Sequence, residues 1–151
     1  MRTYAPTANS PTQKKTVFYK KLEGSTSIFR SKPGHRILVG DSNVRLGSIT
    51  GDQDTNSNKE ILKNFLNNNF LVNINLLKTF LQYTFHDIST GDKSIIGFLL
   101  TDMLPWRIPK HKILDGSLGA SAQTAHKAIL TKILFGAKVE LSIRKNTAIW
   151  R

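Results

Sequence analysis

Four consecutive residues, Gly40-Asp41-Ser42-Asn43, carry the spacing in this chain that most suggests chemistry. They follow the apolar run Arg36-Ile37-Leu38-Val39, which has the composition of a short buried strand. A carboxylate and an amide would then stand together at a strand's C-terminal end, within reach of one water molecule. Phosphodiester hydrolysis uses such a pair. The carboxylate orients or deprotonates the water, the amide fixes its direction, and a divalent metal with a nearby cation offsets charge growing on the phosphate. The same Asp-x-Asn spacing also makes an Asx-turn or a helix cap with no chemistry attached, and the tetrapeptide alone leaves both readings open.

Other constellations fail on their own spacing. Asp52, Asp54 and Asn56 begin like a calcium loop, but its sixth position is Ser57 where glycine makes the turn, and its twelfth is Lys63 where a bidentate glutamate is needed. Gly91-Asp92-Lys93-Ser94 lacks the Gly-Lys pair of a phosphate-cradling loop, and no G-x-S-x-G elbow occurs. The four histidines, His35, His86, His111 and His126, never recur at a spacing of four on a helix. With no cysteine, thiolate nucleophiles, disulfides and cysteine-based zinc sites are excluded.

The elements that must position Asp41 and Asn43 follow from patterning. Thr3 to Ala5 reads as a strand end stopped by Pro6. Thr12 to Phe29 reads as an amphipathic helix with Val17, Phe18, Leu22 and Ile28 on its apolar side and Lys14, Lys15, Lys20 and Lys21 on its wet one. Ser31 to Gly34 is a turn, the stretch from Gly47 to Asn58 is polar and loop-like, and Lys59 to Asn69 returns to helical spacing with Ser57 or Asn58 as its cap. Beyond it, Leu71 to Asn75, Gln82 to Phe85, Ser94 to Leu100, His111 to Leu114 and Ala128 to Phe135 are short strand-like runs. No repeat, low-complexity tract or linker divides the 151 residues, so a single domain over 1–151 is expected.

Lys and Arg number 22 against 10 acidic residues, a balance of +12 that makes a phosphate backbone an attractive partner through counterion release. No apolar run approaches the ~18 residues of a membrane span, and the opening residues lack the apolar stretch of a signal peptide. The expected setting is a soluble, intracellular one.

The order of these fragments resembles the endonuclease/exonuclease/phosphatase family, especially the apurinic-type endonuclease domains of RTE-like non-LTR retrotransposons, nearly end to end. Tyr4-Ala5-Pro6-Thr7 is similar to the family's Tyr-Ala-Pro strand end, and Phe18-Tyr19 to the Phe-Tyr pair of the helix that follows. Ile37 to Asn43 resembles the run into its Gly-Asp-Phe-Asn motif. Asn56 to Leu77 resembles the segment in which an Asn-Gly pair precedes a Leu-rich helix and an Asn-Leu-x-Ile-x-Asn strand, with Lys59 in place of the glycine. Tyr83-Thr84-Phe85 resembles the Thr-Trp strand start, and Ser94 to Leu99 the Gln-Ile-Asp-Tyr-Ile strand. Ile113-Leu114-Asp115 and Gly119-Ala120 resemble the approach to the closing Ser/Thr-Asp-His, whose place Thr124-Ala125-His126 takes.

The resemblance implies an α/β fold, a partial β-sandwich flanked by helices, corresponding to the C-terminal half of the family's domain with its N-terminal half missing. It implies that Asp41 aligns the attacking water with Asn43 assisting, that Tyr4 lies near the phosphate, and that His126 contacts the phosphate as charge develops. It implies Mg²⁺ as cofactor, DNA as partner without sequence preference, and a nuclear location. Trp106, Arg107 and Arg45 are the candidate nucleic-acid contacts. The departures fall on the site: Gly97 stands where an aspartate orients the histidine, Ala125 stands where a second aspartate serves the metal, and Glu23, Glu60 and Glu140 match no metal-ligand motif. The expectation is therefore an inactive relative of a divalent-metal endonuclease that binds no Mg²⁺ of its own. A basic nucleic-acid-binding protein without catalysis, or a translated mobile-element remnant, is the alternative.

Overall fold

Period-two alternation in the two strand-like runs decides how the central sheet is buried. In β6 (Gly97–Thr101) Phe98 and Leu100 point to one side and Leu99 to the other, and in β2 (Ile37–Asp41) Leu38 opposes Ile37. Both sides are apolar, so both must be covered. The computed structural model, which describes residues 1–50, 52, 54–87, 89–114 and 126–135, shows how. Asp115, Gly119, Ala120, Thr124, Ala125 and Glu140 lie outside the described residues.

Four strands form the sheet in the order β1-β2-β6-β3, with β1 spanning Arg2–Tyr4 and β3 spanning Val72–Asn73. β1 runs parallel to β2, and β6 is antiparallel to both β2 and β3. Helices α1 (Thr12–Arg30) and α2 (Asn58–Asn69) cover one side, where Tyr19, Leu22, Leu62 and Phe65 pack on Leu38, Phe98 and Leu100. On the other side Leu99 packs with Ile74, Met103 and Ile108, joined at the margin by Ile37 and Ile133. Ile74 belongs to the short helix α3 (Ile74–Lys78). A separate antiparallel ribbon of β7 (Lys110–Leu114) and β8 (Ala128–Lys132), and a two-residue hairpin pair of β4 (Phe85–His86) and β5 (Lys93–Ser94), complete the described elements.

Several expectations need correction. The packed stripe of α1 is Lys15, Tyr19, Leu22 and Thr26, whereas Val17 and Ile28 are exposed. Lys15 can be buried because its ammonium donates to the Ala8 carbonyl and, at 2.9 Å, to Ser57 Oγ. Ser57 stands at the N-cap of α2 without a side-chain capping bond, and the Asn58 N–H donates instead to Asn56 Oδ1 at 3.2 Å. The strand expected over Leu71 to Asn75 stops at Asn73, whose side chain accepts from the Asn75 N–H at 3.0 Å and opens α3. In the polar stretch after Gly47, Asp52 is buried, and its carboxylate accepts from the Ile95 N–H at 3.1 Å, so it braces the fold. Phe98 lies in the core.

Candidate active site

Asp41 owes its neighbours to a glycine. β1 lies so close to β2 that a Cβ on Gly40 would overlap the Thr3 carbonyl oxygen, and Gly40 itself holds a φ of +158°. With no side chain there, Thr3 pairs with Gly40 and Tyr4 comes directly beside Asp41. Tyr4 is 69 % exposed and stands at the strand end with its ring open to solvent.

The loop that follows is an Asx-turn and more. Asn43 adopts the left-handed region at φ +48°, and its N–H donates to Asp41 Oδ1 at 2.8 Å. Its side-chain amide reaches back to the Ala5 carbonyl at 2.7 Å, while its own carbonyl accepts from Asn56 Nδ2 and Asn58 Nδ2, both at 3.0 Å. Asn58 Nδ2 also serves the Pro6 carbonyl at 3.0 Å. Amides at the start of α2 thereby clamp the ends of β1 and β2 to each other. The resemblance covers these two asparagines, with Asn58 before the Lys59 that replaces a glycine, but Asn56-Ser57-Asn58 looks there only like helix-start punctuation, and what their amides bond is not signalled.

His126 enters from the other side of the cleft. It forms an isolated bridge with Phe85 and sets its ring edge-on to that phenyl, centroids 5.1 Å apart. Its Nε2 stands 3.7 Å from Asp41 Oδ2. Thr84 fixes this approach: buried, it accepts at Oγ1 from the N–H groups of Ile96 and Gly97 at 2.9 and 2.8 Å, and its carbonyl accepts from the Lys127 N–H at 2.8 Å. Gly97 is Asp41's partner across the β2–β6 ladder, and a Cβ there would meet Thr84 and Ile129 only at ordinary contact distance. Where an aspartate would hold the imidazole, Asp41 itself faces it.

Burial raises the Asp41 carboxyl above its usual range, against the opposing pull of the Asn43 N–H and the His126 ring. One oxygen is thus engaged by the turn and the other faces the histidine.

Tyr4, Asp41, Asn43, Arg45 and His126 line one hollow of about 340 Å³, and Tyr4, Asp41 and His126 also border a second that Gly97 and Lys127 share. Arg45 is not idle there, because its Nη1 pairs with Asp54 Oδ2 at 2.9 Å. Trp106 and Arg107 are not among the residues lining either hollow. They sit on a 3-10 turn, Pro105–Arg107, with Trp106 63 % exposed and the Arg107 guanidinium 5.0 Å from its ring centroid.

Among the described residues no ligand set gathers that matches the metal of the resembling family. A hard divalent cation takes about six oxygen ligands, commonly with more than one carboxylate, yet among the described residues no group of three or more His, Asp or Glu gathers. Asp41 is the single carboxylate lining the two hollows among those residues.

Sheets flanked by helices in this arrangement make an α/β fold of the endonuclease/exonuclease/phosphatase type. Three solved structures share it: a 3'-5' exonuclease from Neisseria meningitidis (12 % identity, TM-score 0.71), a 3' phosphatase from Neisseria bound to a product DNA hairpin (12 %, 0.67), and the endonuclease domain of TRAS1, a telomere-specific non-LTR retrotransposon (16 %, 0.66). Each match covers 87 % of this chain and respectively 59 %, 59 % and 55 % of the other, so the chain spans under two thirds of the length of these structures. At such identities the likeness establishes the fold alone. No protein-family model and no curated protein matches the sequence. No helix among the described residues is long and apolar enough to cross a membrane.

Proposed function

We propose that this chain, one domain over 1–151, is a nuclease-fold protein that holds nucleic acid at the Tyr4–Asp41–His126 cleft and does not turn it over on its own. The carrying observation is the placement of Asp41 with His126 at 3.7 Å and Gly97 across the ladder. In that arrangement the carboxylate that would align water is tied to the imidazole that would meet the phosphate. Among the described residues Asp41 is the single carboxylate lining the cleft. His126, Tyr4 and Lys127 then serve as phosphate contacts, and Asn43 as a turn residue that keeps the cleft open. Losing one positioned group costs about 10²-fold in rate, and several losses together leave little turnover. The DNA hairpin held by the Neisseria phosphatase supports nucleic acid as the ligand class, and a balance of +12 supports affinity through the backbone.

Nicking of supercoiled plasmid with Mg²⁺ tests the reading, run beside Asp41→Ala and a chelator control. We expect no nicking above the Asp41→Ala background from folded protein that still shifts DNA in a gel. Nicking abolished by both controls would overturn the proposal and restore a metal-dependent endonuclease.

A further inference from the structure

The β7–β8 ribbon turns two different faces outward and inward, and its outer one carries charge that no acidic side chain among the described residues offsets. Register places Lys110 opposite Lys132 and Lys112 opposite Leu130 on the exposed side, while Ile113, Ile129 and the hydrogen-bonded pair His111–Thr131 face inward. Like charges directly opposed across a strand pair destabilise it, and none of the three lysines has an acidic partner among the described residues. The inner face already supplies the packing that the ribbon needs, so the three ammonium groups add repulsion and nothing to the core.

The ribbon also connects two places of interest. Its Ala128↔Leu114 end adjoins His126 and Lys127 at the cleft, and Ile129 lines the hollow beside Gly97. Its Lys110↔Lys132 end adjoins the exposed Trp106, because the Leu134 N–H donates to the Arg107 carbonyl at 2.8 Å. At ~3.3 Å per residue, Lys110 and Lys112 stand ~7 Å apart and the five-residue ribbon runs ~17 Å.

We propose that the outer face of β7–β8, with Lys110, Lys112 and Lys132, is a phosphate track that leads one nucleic-acid strand from the His126 cleft to a base-stacking platform at Trp106. The inference rests on the nucleic-acid reading above and extends it to a surface outside the cleft. Phosphates relieve the Lys110–Lys132 repulsion, and the Trp106 ring, backed by Arg107, offers the π-face on which bases stack without regard to sequence.

The test is fluorescence anisotropy with a labelled single-stranded DNA 20-mer from about 50 to 200 mM salt. Wild type is compared with Lys110→Gln/Lys112→Gln/Lys132→Gln, with Trp106→Ala, and with a charge-matched control on α1, Lys14→Gln/Lys20→Gln/Lys21→Gln. The ribbon variant should lose about 10- to 100-fold in affinity, and its slope of log K against log salt should shrink by about 2, three phosphates at ~0.7 each. Trp106→Ala should lose about 5- to 100-fold, and the α1 variant less than about 3-fold. Equal losses in the two triple variants, or an undiminished ribbon variant, would overturn the track while leaving nucleic-acid binding intact. No binding by wild type would instead overturn the functional reading, and the track with it. Loss of binding to phosphatidylserine vesicles with DNA binding retained would reassign the face to an anionic lipid surface. Thermal melts accompany each variant; should the triple melt early, the single Lys132→Gln carries the same comparison with a slope change near 0.7.

Discussion

Burial sets the terms on which Asp41 ionises. Its carboxyl is held above its ordinary value of 3.8 chiefly by desolvation, which the Asn43 N–H and the His126 ring only partly offset. The native state therefore keeps its proton over a pH window in which the unfolded chain has released it. Stability falls as pH rises through that window, so the ionised carboxylate is a net cost at neutral pH. Asp41→Asn keeps an acceptor for the Asn43 N–H and removes the charge. It should raise the melting temperature at pH 7 by about 1–3 °C, and the gain should vanish below pH ~3, where both states of the wild type are protonated. A gain that persists in acid would mean that geometry and not charge is responsible. Gly97 poses the complementary question. Its α-carbon has room for a side chain and faces Asp41 across the ladder, so Gly97→Asp would place two carboxylates side by side, the beginning of a hard-cation site. Calorimetric titration should detect Mg²⁺ or Mn²⁺ binding in the variant and none in wild type. Measurable binding by wild type would show that residues beyond Asp41 already gather a cation.

At the scale of elements, the clamp from α2 is the device that holds the site. Asn58 is buried and its Nδ2 serves both the Pro6 and Asn43 carbonyls. Asn58→Ala strips a donor from two acceptors and should cost about 1–3 kcal/mol in a denaturant melt. Asn56→Ala removes two bonds, its own to the Asn43 carbonyl and the one it accepts from the Asn58 N–H, and should cost about 0.5–2 kcal/mol. If Asn58→Ala melts like wild type, the ends of β1 and β2 are held by strand pairing alone. The sequence made β2, β6, β7 and both long helices legible, because apolar spacing reports burial directly. The family resemblance also grouped Asp41, Asn43, Tyr4 and His126, and these four line one hollow. The sequence concealed the buried side of α1, since Lys15 looks solvated until Ala8 and Ser57 come to meet its ammonium. The Asp41–His126 approach was equally hidden, because the two residues are 85 positions apart in sequence and are brought together with the help of Thr84, whose hydroxyl pins Gly97 and whose carbonyl pins Lys127.

Over the whole molecule, a balance of +12 on 151 residues means that folding concentrates like charges. Self-repulsion of this kind weakens the compact state and is relieved by screening or by a bound polyanion. The two remedies make opposite demands on salt. Added NaCl should raise the melting temperature of the protein alone, modestly and continuously. A DNA 20-mer at low salt should raise it further, through preferential binding to the native state. At a free concentration of about 100 times Kd that linkage is worth ~2.7 kcal/mol, or about 5–10 °C for a domain of this size. The DNA-dependent part should then shrink as NaCl is added, because counterion release is what drives it, even while the baseline climbs. Differential scanning fluorimetry across a grid of salt and DNA separates the two trends in one experiment. A melting temperature indifferent to DNA at low salt would reduce the net charge to a solubility feature. A DNA shift that survives 0.5 M NaCl undiminished would instead locate the affinity in contacts other than phosphates, with stacking at Trp106 the first to examine.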